Sequence, residues 1–406
     1  MLEIKMSLLQ TVGFSVIFLL IGMYLRKKVS FFLKYSIPAA VIGGVLFSII
    51  HLILRSAGIM EITFDTALQG FFQAMYFCTI GLDASFRLLK KGGSLVFKFL
   101  FIAIGMSLAQ NIIAVGISNV MGFEPLLGLL MGSSALVGGT GTSAAVAPSV
   151  EALGYSSALT VALTAATFGI VSGSISGGPI ARRLIEKKNL YKAGDKDPIE
   201  VLEVDDENAD YRLSSDKISL SLFMILVIMF FGSYLTEIIN NFVGIFIDNV
   251  AFPGYLGTML IACFVRNYAD SSPKFNIHME EVGVVAKFSL QLFLGIALLN
   301  LKLWLLLDIA LPMAVILIAQ LVFAYIYATY LCFPIMGKNY DAAMMSSGLI
   351  GFGMGSTSNA MANMNTLSET YRYSSTAFFV VPIVGALFID FFNIFIIYGF
   401  IGFLAG

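Results

Sequence analysis

The stretch GSSALVGGTGTSAA (residues 132–145) sits in a segment, 124–150, that is long enough to cross a membrane and almost free of charge. Yet glycine, serine and threonine stand where an ordinary membrane helix carries leucine or phenylalanine. A second segment, 341–364, repeats the oddity with SSGLIGFGMGSTSNAMANM (346–364). Glycine in a helix interior costs roughly 1 kcal/mol relative to alanine, so both segments are poor continuous helices. Backbone that is not helical is tolerated at membrane depth only where protein or a watery cavity surrounds it. One such segment in each half of a chain is the pattern of a secondary transporter built from repeats, with its binding site at the breaks. The plainer reading, that small residues only let helices pack closely, explains one segment better than a symmetric pair.

Composition sets the class. Of 406 residues, 58% are hydrophobic and 12% charged, and the mean hydropathy is +0.90, which places the chain among all-α polytopic membrane proteins. A net charge of −1 carries no nucleic-acid signature, since only the distribution of charge along such a chain is informative. Cys78, Cys263 and Cys332 fall in separate apolar segments without CxxC spacing, so they suggest neither a disulfide framework nor a transition-metal cage. At the start, MLEIKMSLLQTVGFSVIFLLIGMYLRKK has its basic cluster after the apolar run. That is the reverse of a signal peptide, and the segment is expected to remain as the first span.

Ten apolar windows of spanning length fall at about 7–25, 38–54, 67–86, 94–120, 157–181, 217–238, 250–265, 282–301, 305–333 and 375–404. The polar run DKDPIEVLEVDDENAD suits a solvated linker, 183–216, between an N-terminal unit (1–182) and a C-terminal unit (217–406). Basic residues then decide the topology. The clusters Arg26–Lys27–Lys28, Arg87–Lys90–Lys91 and Arg182–Arg183–Lys187–Lys188 all belong inside by the positive-inside rule. Two spans separate the second cluster from the third only if residues 124–150 enter and return on the same face. The first segment is therefore expected to be a re-entrant hairpin from outside. Five spans per half invert the second unit, so its hairpin, 341–364, enters from inside. Only Lys5, Arg55 and Lys302 of 24 basic residues fall outside, and both termini are external with the linker cytoplasmic. SLAQNIIAV around Gln110 resembles LIAQLVFAY around Gln320, and GTGTSAAVA (139–147) resembles GMGSTSNAMA (353–362), so two inverted repeats are expected.

Two broken hairpins that meet near the midplane offer amides with partial positive charge at one end and carbonyls at the other, one suited to a carboxylate and the other to a small cation. The expected substrate-binding residues are Ser133, Ser134, Gly139, Thr140, Gly141, Thr142 and Ser143 in the first hairpin. Gly353, Gly355, Ser356, Thr357, Ser358, Asn359 and Asn363 are their counterparts in the second. Hydroxyls and amides there can donate to an anion or lend oxygen to Na+. Cation-binding candidates are Asp390, an acid in mid-span, Asn393 one helical step on, and Gln110, Asn111 and Gln320 within apolar helices. Asp83 is expected to pair with Arg87 four residues on. His51 and His278 are isolated, and Trp304 suits an interfacial anchor.

The strings LKLWLLLDIALPM (301–313), MGKNYDAA (336–343), GFGMGSTSNAMANM (351–364), FFVVPIVGALFIDFFN (378–393), GGTGTSAA (138–145) and ATFGIVSGSISGGPIARRL (166–184) resemble the bacterial sodium/glutamate symporters. The resemblance covers essentially the whole chain. It implies Na+-driven uptake of L-glutamate across the cell inner membrane by two inverted five-span domains. It also implies a homodimer, and alternating access in which one domain carries substrate past a fixed scaffold. No cofactor is implied beyond Na+ as coupling ion. At Thr140, Val146, Ser358 and Asn359 the chain departs from the family's usual motif residues, so a related anionic amino acid or dicarboxylate, with H+ coupling, stays open as a second reading. A passive channel with the hairpins as filter is a third. No HExxH or GxSxG motif and no clustered His and Cys ligands suggest an enzyme.

Overall fold

The computed structural model describes residues 2–35, 37–91, 93–191, 213–244, 252–272, 275–305 and 309–405. Of the expected linker 183–216, residues 192–212 therefore lie outside the described residues.

Long helices occupy the apolar windows, because a run of leucine, isoleucine, valine and phenylalanine satisfies every backbone group only as a helix when no water is at hand. They are α1 (Leu8–Lys28), α2 (Ala39–Ser56), α3 (Ala67–Asp83) and α4 (Gly93–Met121). After the first glycine-rich break come α5 (Gly139–Ala152), α6 (Ala158–Lys187), α7 (Ser215–Val243), α8 (Tyr255–Ser271) and α9 (Met279–Leu299). The chain closes with α10 (Ala310–Ile335), α11 (Tyr340–Gly353), α12 (Thr357–Thr370) and α13 (Ser375–Ala405). Among the described residues, eight helices (α1, α2, α4, α6, α7, α9, α10 and α13) are long and apolar enough to cross a bilayer. The chain is a multi-pass membrane protein. Helices α3 and α8 are 17 residues each, about 25 Å at 1.5 Å per residue.

The outward faces are as apolar as the core. On α7, Leu220, Phe223, Val227, Phe230, Phe231 and Ile238 are all exposed. In water such a stripe would be an aggregation patch, whereas in hydrocarbon it is the solvated surface.

One element departs from the all-helical expectation. Leu2–Met6 (β1) pairs in parallel with Met60–Phe64 (β2), Leu2 opposite Met60 and Met6 opposite Phe64. Parallel strands need a crossover, and α1 and α2 supply it. The alternation in LEIKM and MEITF is the signal for it, although five residues are too few to stand out against apolar helices on either side. His51, isolated in the sequence, has a partner here. Its Nε2 accepts from the Ile62 amide at 3.2 Å, which ties the ribbon to α2, while Arg55 lies 4.0 Å over the Trp304 ring.

The helices sort into two groups. Helices α1, α2 and α3 of the first half pack with α7, α8 and α9 of the second; α4 and α6, with the intervening break, pack with α10 to α13. Contact between the groups runs chiefly through α3 and α9 against α5 and α13. Each half of the chain thus gives its first three long helices to one group and its glycine-rich break, with the flanking helices, to the other. The last two long helices are also locally unwound into π turns, Ala328–Cys332 in α10 and Ile383–Phe388 in α13. In α13 the π turn follows Pro382, which lacks an amide to give to the ladder.

Candidate functional site

Both glycine-rich segments are broken where the sequence places glycine. In the first, two short helical turns (Pro125–Leu129 and Ser133–Leu136) precede α5, which starts at Gly139 with φ of +60°, a conformation open to glycine at little cost. In the second, α11 ends at Gly353 and α12 starts at Thr357, with the Ser356 hydroxyl accepting from the Asn359 amide as its cap. Helix α12 doubles back along α11: Gly351 lies against Ala360, and Ser347 and Asn363 both reach Gly177. Each arm has 14 residues, about 21 Å, short of the roughly 30 Å hydrocarbon core.

The two breaks meet. A Cβ added to Gly139 would stand 3.2 Å from the carbonyl oxygen of Gly355, so the N-terminal ends of α5 and α12 converge on one point. Each such end carries partial positive charge from unsatisfied amides.

Long-range amide side chains hold these ends in place. Adjacent residues on α4 take one hairpin each. Gln110 Nε2 donates to the Gly353 carbonyl at 2.8 Å, and Asn111 Oδ1 accepts from the Ser133 amide at 2.8 Å. From α13, Asn393 Nδ2 donates to the Ser133 carbonyl at 3.0 Å, so Ser133 is clamped on both sides. Gln320 Nε2 donates to the Gln110 carbonyl at 2.7 Å, and Thr357 Oγ1 to the carbonyl of Gly385 in the α13 π turn at 2.6 Å. Asn359 and Asn363 each donate to α6, at Ile170 and Gly173, at 2.9 Å.

Five of these amides, those of Gln110, Asn111, Gln320, Asn359 and Asn393, are used at one end only. The oxygens of Gln110, Gln320, Asn359 and Asn393, and the hydroxyls of Ser133 and Ser347, are buried without a protein partner. Neutral oxygens of this kind are the donors that a hard cation takes. A fully buried network that stays half satisfied is otherwise costly.

The remaining expected residues are distributed unevenly. Ser134 and Ser143 are buried and bond to carbonyls of their own segment, Leu130 and Ser134 respectively. Thr140 and Thr142 are also buried, and Gly141 faces Tyr76 of α3 and Leu290 of α9. Ser356 and Thr357 are half-buried, and Ser358 is exposed. Asp390 follows the π turn and lies within electrostatic reach of Asp83 and Tyr76 on α3. Asp83 does not pair with Arg87, because α3 ends at Asp83 and turns the chain. Arg266 comes to the end of α3 instead, donating from Nη1 to the Leu82 carbonyl at 3.3 Å, and Arg87 bonds to the Asp270 carbonyl at 3.4 Å.

Three residues that composition alone did not single out shape the site: Gly169, Gly173 and Gly177, one face of α6. A Cβ on Gly169 would meet the Met354 carbonyl oxygen at 2.5 Å, and one on Gly177 the Asn363 side chain at 2.2 Å. The stripe lets the second hairpin lie directly on the α6 backbone, close enough for Asn359 and Asn363 to reach it. The spacing GxxxGxxxG is the signal that could have found it.

A family model described as sodium/glutamate symporter matches residues 4–373. The chain is 37% identical over 392 residues to the sodium/glutamate symporter of Escherichia coli (strain K12), covering 96% of each chain. It is 33% identical over 390 residues to that of Haemophilus influenzae, covering 95% of each. Among solved structures, the sodium proton antiporter MjNhaP1 of Methanocaldococcus jannaschii aligns over 98% of this chain and 99% of its own, with 12% identity and a TM-score of 0.39. That likeness is too low to carry an argument.

Proposed function

The chain belongs to the sodium/glutamate symporter family, and on that premise we propose that it takes up L-glutamate, or a close anionic amino acid, with Na+ by alternating access. It is a transporter rather than an enzyme. The observation that carries the reading is the convergence of two helix N-termini at Gly139 and Gly355. Thr140, Ser356 and Ser358 carry hydroxyls in the first turns of these ends, Thr357 giving its proton to Gly385 instead, and no lysine or arginine falls in residues 132–145 or 346–364. Oriented dipoles and hydroxyls hold a carboxylate without a full countercharge, so the anion can leave again on the other side. Oxygens of Gln110, Gln320, Asn359 and Asn393, with the Ser133 hydroxyl, are the proposed Na+ donors, and Asp390 adds negative potential nearby.

Ten spans are proposed, α3 and α8 counted with the eight long helices. Residues 124–150 and 341–364 are re-entrant hairpins from opposite faces, each in one of two inverted repeats, 1–182 and 217–406. The group holding both breaks moves past the other, which is the scaffold of a homodimer in the bacterial inner membrane. Both termini are external and the linker cytoplasmic. Support comes from the equal division of each half between the two helix groups and from hairpin arms too short to span.

Coupling has an electrical consequence. Drawing a monoanion into a negative-inside compartment costs about 2.3 kcal/mol per 100 mV; one Na+ cancels this, and a second makes the potential a driving force. In proteoliposomes, labelled glutamate uptake is expected to require an inward Na+ gradient and to rise when a negative-inside potential is imposed. Equal uptake under Na+, K+ and pH gradients would sink Na+ symport. Uptake indifferent to potential would limit the coupling to one cation.

A further inference from the structure

A cleft of about 410 Å3 opens between the two helix groups, on the side that the charge count places outside. Its polar lining is Thr66, Gln69 and Gln73 at the start of α3, Glu151 at the end of α5, and Asn300 and Lys302 just beyond α9. From α5 the cleft is also lined by Pro148, and Gln73 Nε2 donates to the Ala145 carbonyl at 3.2 Å, which ties the cleft's α3 wall to α5. Glu151 is half-buried and Lys302 exposed. The Lys302 amide is fixed to Thr160 Oγ1 at 3.1 Å, which anchors the root of its side chain on the α6 side of the cleft. The Glu151 and Lys302 side chains line the same cleft without forming a direct ion pair within 4.0 Å.

The chemistry of this cleft supplies what the hairpin breaks lack. Helix N-termini and hydroxyls recognise carboxylates, and residues 132–145 and 346–364 contain no aspartate or glutamate. For an ammonium the breaks thus offer only neutral oxygens of their own, with Asp390 on α13 the nearest acid named. We propose that the cleft is an outer recognition site for the head group of an α-amino acid: Glu151 accepts hydrogen bonds from the ammonium and Lys302 donates to the α-carboxylate. This inference rests on the transport reading above and adds the selection of amino acids over plain dicarboxylates. An opposite-charge pair held apart around a cavity can receive both groups of a zwitterion, each bond being charge-assisted.

The test uses the full-length protein in proteoliposomes, with labelled glutamate as substrate and unlabelled glutamate or glutarate, its deaminated analogue, as competitor under a Na+ gradient. The unaltered protein is expected to prefer glutamate. Glu151→Gln should raise the glutamate KM about tenfold or more, in line with loss of a charged hydrogen bond, while half-inhibition by glutarate stays put. Lys302→Gln should weaken both, and Glu151→Asp should recover part of the preference, which separates recognition from folding. Equal handling of glutamate and glutarate by the unaltered protein, or an equal shift for both in Glu151→Gln, overturns the inference and leaves Na+ symport standing. Absence of Na+-driven uptake of either compound overturns the parent reading and this site with it.

Discussion

Replacing Gln110 or Asn393 with leucine is expected to reduce Na+-driven uptake by roughly tenfold to a hundredfold each, with the larger loss for the pair. Gly353 ends α11, so its carbonyl belongs to the last turn, where no intrahelical donor remains. Gln110 Nε2 supplies that donor across 243 positions of sequence, and Asn393 Nδ2 serves the Ser133 carbonyl across 260. Leucine fills similar space and donates nothing. The Gly353 carbonyl left without its donor costs about 1–3 kcal/mol, and the break there must turn elsewhere to find one; the Ser133 carbonyl keeps the Val137 and Gly138 amides, so Asn393→Leu should act chiefly through its lost oxygen. The same substitution removes a buried oxygen that has no protein partner, so Na+ dependence should weaken beyond what a packing defect would cause. Uptake measured as a function of Na+ concentration, beside thermal melting of the purified protein, distinguishes the two. Leucine variants with normal uptake and an unchanged Na+ requirement would show that these amides serve packing alone.

Gly351→Ala is expected to abolish uptake and lower stability, although it adds one methyl group. That methyl would stand 2.3 Å from Ala360 Cα and 2.4 Å from its nitrogen, backbone atoms of the returning arm. Neither can swing aside like a side chain, so α11 and α12 must part, at a cost of about 1–3 kcal/mol or more for overpacking. Separation of the arms would also withdraw Asn359 and Asn363 from α6. Gly116→Ala, on the outer face of α4, provides the contrast. Apart from its own chain neighbours nothing lies within 4 Å of its added Cβ, isoleucine rather than proline follows it, and alanine gains roughly 0.8–1.0 kcal/mol of helix propensity over glycine. That variant should melt no lower than the unaltered protein and transport normally. If the two variants behaved alike, the close approach of the hairpin arms would not be the reason for Gly351.

Much of the fold was legible because its causes are local. A long helix needs an uninterrupted apolar run, and α4 or α9 carries that cause in its own residues; a break needs glycine and a cap, and Gly139 and Ser356 carry those. The parallel ribbon was missed because pairing Leu2–Met6 with Met60–Phe64 depends on α1 and α2 returning the chain to the same end, which neither pentapeptide encodes. Asp83 with Arg87 failed for a related reason: the i, i+4 rule assumes a continuous helix, and α3 stops at Asp83. Within the site, the residues of both hairpins were named from composition, but their division of labour was not. Asn359 and Asn363 turned out to give their donors to α6, and Gln110 and Asn111, neighbours in sequence, to hold different hairpins.

What the sequence determined by itself was the membrane class, the positions of the helices and of both breaks, and, through the resemblance, the family. These follow from hydrophobic length, charge placement and glycine content, all properties of contiguous residues. Only the tertiary structure decided that Gly139 meets Gly355, that the glycine stripe of α6 forms the bed of the second hairpin, and that Glu151 and Lys302 share a cleft. Those contacts join segments more than a hundred residues apart, and which of many apolar helices lie side by side is settled by packing and by the partnering of buried amides, not by any local pattern.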